Sequence, residues 1–193
     1  MGRLFYIMGK SASGKDTIYQ RLLRNPEFSL ERLVIYTTRP IRDGELDGRE
    51  YHFVTEEDFQ KLKAAGKIIE DRGYETVYGL WRYFTADNMD LEEKNYLGIG
   101  TLESYEKLKA YYGEEKIRPI YIEVEDGERL KRAIAREETQ ETPKYEEMCR
   151  RFLADQEDFS EDKIKDAGIT VRFENDDLDI CVKHIINYVN SVS

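Results

Sequence analysis

Residues 3–23 read RLFYIMGKSASGKDTIYQRLL, and the order of residue types along them decides the fold. RLFYIM (3–8) is a short apolar and aromatic run, the pattern of a buried strand in a parallel sheet. A glycine-rich turn follows. TIYQRLL (17–23) then sets apolar residues at helical spacing, so a helix opens between Gly14 and Asp16. Gly9 to Thr17 fits G-x-x-x-x-G-K directly between that strand and that helix. The glycines let the backbone curl until several N–H groups point at one anion. The helix N-terminus adds partial positive charge, and Lys15 reaches the outer phosphates. Gly9, Ser11, Ser13, Gly14, Lys15, Asp16 and Thr17 are therefore candidates for holding a nucleotide's phosphates. Asp16 stands where Ser or Thr usually ligates Mg²⁺ through a hydroxyl. Two readings stay open: a carboxylate ligand for magnesium, direct or through water, or an acid placed favourably at the helix N-terminus.

Working outward, Leu33 to Tyr36 reads as a second strand, followed by a polar stretch whose Asp-Gly pairs mark turns. Thr55 caps a helix through TEEDFQKLKAAG, with acids in its first turn and Gly66 as a stop. IIEDRGYETVYG reads as strand and turn, Thr85 to Lys94 as a helix, and Tyr96 to Ile99 as a strand. Ser104 to Tyr111 is helical, PIYIEV (119–124) is a strand, and helices follow over Gly127 to Arg136 and Tyr145 to Phe159. ITVRF (169–173) closes the strands, and Leu178 to Val192 is the last helix. Strands alternating with helices predict a doubly wound, three-layer α/β/α fold with a parallel core sheet.

The 193 residues suit one domain. Lys and Arg number 30 against 40 Asp and Glu, a net charge of −10, which disfavours nucleic-acid polymers and anionic membranes as partners. Fourteen Tyr and eight Phe exclude a disordered acidic tail. Cys149 and Cys181 stand far apart without CxxC or paired His, which excludes a disulfide framework and a Cys/His zinc site. The start, MGRLFYIMG, is too short for a signal peptide, and no apolar run approaches the roughly 18 residues of a membrane span. The expectation is a soluble, cytoplasmic protein, monomer or homodimer.

The stretch YTTRPIRDGELDGREYHFVTEEDF (36–59) sets Arg39 and Arg42 three residues apart, beside Tyr51. Arginine forks suit bidentate contact with phosphate. At this string the chain resembles guanylate kinase, whose acceptor-binding segment reads much like TTRPxRxGExDGxxYHFV. The resemblance continues through GKIIED (66–71), VYG (77–79), the lid-like KRAIAREETQE (131–141), YEEMCRRFLADQEDF (145–159) and NDDLD (175–179). It implies a core over 1–34, 85–127 and 152–193, an acceptor-binding insertion over about 35–84 and a lid over about 128–151. Arg39, Arg42, Tyr51 and Tyr78 would bind the acceptor phosphate, and Glu70 would accept hydrogen bonds from guanine. Arg132, Arg136 and Arg151, with Asn175, would serve the ATP phosphates. Catalysis would fall to Lys15, Arg39, Arg136 and Arg151, with Mg²⁺ accompanying ATP. The implied reaction is ATP + GMP to ADP + GDP, part of purine nucleotide metabolism.

The sequence departs from that family where the base is read. The family's Ser before TTR falls at Ile35, its Ser or Thr after YG at Leu80, and its L-D-I-D strand reads Leu97-Gly98-Ile99-Gly100. One residue fewer separates Glu70 from Tyr78, and a gap shifted by one would place Tyr36 at the base instead of Ile35. Each polar partner lost to a buried base costs about 1–3 kcal/mol. The phosphate contacts survive while two of three base contacts do not. Asp16 is expected to replace part of the lost carboxylate at the metal. Two other readings remain: a kinase of the same fold acting on another nucleotide or ribose 1,5-bisphosphate, and a non-catalytic interaction module. Glu70 and Tyr78 argue against the sugar, and Lys15 with the lid arginines against the module.

Overall fold

In the computed structural model, which describes residues 2–76 and 78–192, β1 (Leu4–Met8) is buried along its whole length. It pairs in parallel with β7 (Asn95–Ile99) on one side and β8 (Ile117–Glu123) on the other. β2 (Leu30–Arg32) and β9 (Arg172–Glu174) complete a five-stranded sheet of order β2-β7-β1-β8-β9. Side chains alternate across a strand, so β1 feeds two cores. Phe5 and Ile7 pack with Ile18 and Leu22 of α1 (Lys15–Leu23) and with Cys181 and Ile185 of α7 (Leu178–Val192). Leu4, Tyr6 and Met8 face Tyr105 and Leu108 of α3 (Leu102–Tyr112) and Ile164 of α6 (Glu161–Asp166). The result is the three-layer α/β/α arrangement. A buried parallel sheet needs apolar residues on both faces, which is why RLFYIM carries no alternation.

A second, four-stranded sheet has the order β4-β3-β6-β5. Its strands are β3 (Tyr36–Thr37), β4 (His52–Phe53), β5 (Ile68–Thr76) and β6 (Gly79–Ala86). Its outer face is covered by α2 (Glu56–Ala64), where Phe59 meets Phe84 edge-on at 5.0 Å. Thr55 caps α2 in a full capping box with Asp58. α4 (Asp126–Glu138) and α5 (Tyr145–Asp158) pack on each other beside the β1–α1 turn.

Two sequence expectations change. Leu33 to Tyr36 is not one strand: Leu33 N–H bonds Leu97 in the core sheet, while the Ile35 carbonyl accepts from His52 in the second sheet. The chain crosses between sheets within that apolar run. Thr85 to Lys94 is not a helix. Thr85 and Ala86 end β6, paired to β5, and Asp90 then accepts from the backbone N–H of Glu92 and Glu93 in a side-chain-closed turn. α6 was not anticipated, its six residues being too short for a period to register.

Candidate active site

The phosphate loop is built by β1 ending at Met8 and α1 beginning at Lys15. Gly14 is the N-cap of α1 at φ +85°, and a Cβ there would lie 2.4 Å from Asn175 Nδ2. Glycine is required there on both counts. Asn175, buried, donates from that amide to the Ser13 carbonyl at 2.8 Å, so it holds the loop from outside. The Ser13 hydroxyl is buried without a partner among the described residues. Thr17 is exposed on the first turn of α1.

Arg129 fixes the other side of the loop. Fully buried, it donates to the Ser11 carbonyl at 3.0 Å and pairs with Asp126 at 2.7 Å and Asp155 at 3.5 Å. Asp155 in turn accepts the Ser11 N–H at 2.7 Å. These three residues escape the sequence reading. An Asp and an Arg at i, i+3 look the same whether solvated or buried.

Burial pushes the Lys15 ammonium below its ordinary range, opposed by Asp16 and Asp155, with Arg151 and Arg136 adding to the fall. Those groups therefore share one field. Arg136 and Arg151 line a groove of about 320 Å³ together with Ser11 at the loop mouth. Arg132 behaves differently. It donates to the Asn175 carbonyl at 3.1 Å and to Glu128 at 3.2 Å, supporting the last loop. Asp16 is exposed in the first turn of α1, where the cap is Gly14 and no side chain takes that part. Among the described residues no three acids, His or Cys gather as a metal cluster.

On the loop after β3, Arg39 is 4% exposed and gripped by Glu45 through two bonds of 2.7 and 2.5 Å. Its guanidinium lies 5.0 Å over the Tyr51 ring and also meets the Tyr83 hydroxyl. Arg42 is exposed and gives its backbone N–H to the same Glu45. The β5–β6 register sets Glu70 opposite Thr85, Arg72 opposite Tyr83 and Tyr74 opposite Trp81, all on the inner face. Glu70 is buried, accepts the Thr85 hydroxyl at 2.8 Å, and has Arg72 Nε 3.4 Å from its other oxygen. Ile35, Tyr51, Arg72, Tyr74, Trp81 and Tyr83 line a cavity of about 400 Å³.

Tyr78 does not reach Arg39. It lies at the hairpin tip, 82% exposed and stacked on Trp81, while Tyr83 takes the place beside Tyr51. Leu80 pairs with Glu75 and packs at Gly73, on the outer face. A one-residue change in a hairpin turns every following side chain to the other face, so the shorter Glu70–Tyr78 spacing presents Trp81 instead. Val77 of the VYG string lies outside the described residues. Tyr36 is not at the cavity either: it stacks on Phe84 at 5.1 Å, on the outer face, and Ile35 lines the cavity.

A family model described as guanylate kinase matches residues 1–192. The chain belongs to the guanylate kinase family. It is 32% identical over 190 residues to the guanylate kinase of Porphyromonas gingivalis, covering 96% of this chain and 95% of that protein. The guanylate kinase of Wolbachia pipientis wMel is 30% identical over 190 residues, covering 98% and 90%. The crystal structure of guanylate kinase from Anaplasma phagocytophilum shares the fold, with a TM-score of 0.60 at 19% identity over 98% of this chain and 85% of that one.

Within this guanylate kinase family member, Tyr6 explains Gly98 on β7 and Gly100 just after it. A Cβ on Gly98 would fall 2.6 Å from the Tyr6 ring, and one on Gly100 2.1 Å from its hydroxyl. The ring fills the volume that side chains at 98 and 100 would need. Burial, then the Glu70 carboxylate, pushes the phenol above its ordinary range, with the Ser104 side chain acting the other way, so Tyr6 stays neutral.

Proposed function

We propose that the chain transfers the terminal phosphoryl group of ATP to GMP, giving ADP and GDP. The observation that carries this reading is the gathering of Lys15, Arg136 and Arg151 at the mouth of a glycine-complete phosphate loop, together with Arg39 over Tyr51 on the β3–β4 loop and buried Glu70 on β5. Phosphoryl transfer asks little covalent help of a protein. It needs donor and acceptor held in line and charge on the transferring oxygens neutralised.

In this reading the loop N–H groups and Lys15 hold the ATP phosphates, and the buried Ser13 hydroxyl finds its partner there. Arg39, held rigid by Glu45 and Tyr51, presents its guanidinium to the acceptor phosphate. Arg42 and Tyr51 add contacts from the same loop. Glu70 receives the N–H edge of guanine. Arg136 and Arg151 close over the transferring group and exclude water. Arg132 and Asn175 keep the last loop against the phosphate loop.

Magnesium with ATP fits this donor set, since Mg²⁺ is commonly held by one or two carboxylates plus substrate phosphates, and Asp16 beside Lys15 offers one. Bound there, the ion would neutralise phosphate charge. The thiols of Cys149 and Cys181 are both free, which fits a cytoplasmic setting. No described helix is long and apolar enough to cross a membrane. The assembly is read as monomer or homodimer.

The test is ATP turnover followed by ADP release across GMP, dGMP, AMP, UMP, CMP and ribose 1,5-bisphosphate. Selective turnover of GMP supports the reading. Turnover of another acceptor, or of none, overturns it.

A further inference from the structure

We propose that Arg72 is a specificity-determining residue of the acceptor site, donating to the O6 and N7 edge of the guanine while Glu70 accepts from its N–H edge. The inference rests on the GMP reading and deepens it.

Arg72 and Glu70 are two residues apart on β5, so both side chains stand on the inner face of the sheet. Arg72 lines the aromatic cavity of about 400 Å³, within the roughly 300–1,000 Å³ usual for small-molecule sites. Its Nε is buried and lacks a hydrogen-bond partner among the described residues, although Glu70 Oε2 lies 3.4 Å away. Glu70 already has a closer partner in the Thr85 hydroxyl at 2.8 Å. Glu103, the other acid that feels Arg72, bonds Lys107 at 2.7 Å. The Nε is thus turned to Glu70, while the Arg72 side chain as a whole keeps 30% of its surface exposed and lines the cavity, which leaves the outer guanidinium donors to a ligand.

The order of the two groups fits one base class. A 6-oxopurine carries acceptors at O6 and N7, followed along its edge by the N1–H donor. A guanidinium next to a carboxylate presents donors and then acceptors, the complementary sequence. Arginine to O6 and N7 is the commonest specific contact to guanine. Adenine would put an amino group against the guanidinium, donor against donor, so the same residue also rejects AMP. Ile35 and Leu80 supply no polar contact, one being aliphatic and the other turned outward. Arg72 supplies what they lack, and Tyr74 and Tyr83 line the same cavity with aromatic surface for the base.

The experiment compares the wild type with Arg72→Ala, Arg72→Lys and Glu70→Gln on GMP, IMP and AMP, with thermal melts alongside. IMP keeps O6, N7 and N1–H but lacks the 2-amino group. Arg72→Ala is expected to raise KM for GMP and IMP by the same factor, about 5- to 150-fold, with kcat little changed. AMP turnover should hold or rise, so the preference for GMP over AMP narrows. Lysine lacks the fork and should restore only part of the loss. Glu70→Gln should instead penalise GMP more than IMP. Equal losses on GMP and AMP would assign Arg72 a merely structural role and overturn the proposal, as would unchanged discrimination. If Arg72→Ala fails to fold, Arg72→Lys decides by the same ratio. A wild type inactive on GMP overturns the functional reading itself, and this proposal with it.

Discussion

The Tyr6 hydroxyl stands 2.1 Å from the point where a side chain on Gly100 would begin. One aromatic residue on β1 thereby dictates two glycines, Gly98 on the neighbouring strand and Gly100 just beyond its end. Gly100→Asp should destabilise the fold by about 1–3 kcal/mol, since Tyr6 is nearly fully buried and the new side chain overpacks against it. Tyr6→Val combined with Gly100→Asp should recover most of that loss. Urea unfolding of the four variants of this cycle checks it, and a non-additive recovery is the expected result.

Arg129 sits between the phosphate loop and α5 with no exposed surface. Replacing it by Ala leaves Asp155 and the Ser11 carbonyl without their cation. Removing one partner of a buried ion pair costs about 3–5 kcal/mol, and the partial exposure of Asp126 places the loss near the lower end. KM for ATP should rise as well, because Ser11 loses its anchor. Chemical denaturation and steady-state kinetics read the two effects separately.

Lys15 is held charged at a cost, since burial lowers its proton affinity. Lys15→Met should therefore leave the melting temperature unchanged or raised. Turnover should fall by about 10²–10³, the usual cost of removing one charge-stabilising donor at a transferring group. A parallel loss of stability would contradict this account.

Glu45 is kept acidic, down to about 2 from an ordinary 4.5, first by its hydrogen bonds to Arg39. A depressed folded pKa contributes stability that is full above the unfolded value and lost as pH falls through the folded one. The Arg39–Glu45 contact should thus hold at neutral pH and weaken between pH 4.5 and 2. Glu45→Gln should lower stability at pH 7 and flatten its decline across that acid window. Unfolding curves collected from pH 7 to pH 2 measure both slopes.

The phosphate loop was legible because its chemistry is local. Gly9 to Thr17 lie in one continuous stretch, and the strand and helix that aim them have periods visible within about ten residues. The acceptor site was legible only in part. Arg39, Tyr51 and Glu70 stood out by motif; Glu70 lies on β5, and Arg39 and Tyr51 on the loop between β3 and β4. Where Tyr78 and Leu80 face was not legible, because facing depends on where a hairpin turns, and a spacing shorter by one residue gives no sign of which side chains it reverses. Arg72 passed as one more arginine in a charged chain.

The sequence by itself determined the parallel α/β core, the phosphate loop and the family, because apolar runs, turn glycines and contiguous motifs act over short separations. Tertiary structure decided what long-range packing controls. It placed Tyr6 of β1 against Gly98 of β7 and Gly100 just beyond it, buried Arg129 under Ser11, and set Arg72 rather than Leu80 in the aromatic cavity. Each of those contacts joins side chains through strand register or helix docking, and the energy that selects them exists only once the sheets have formed.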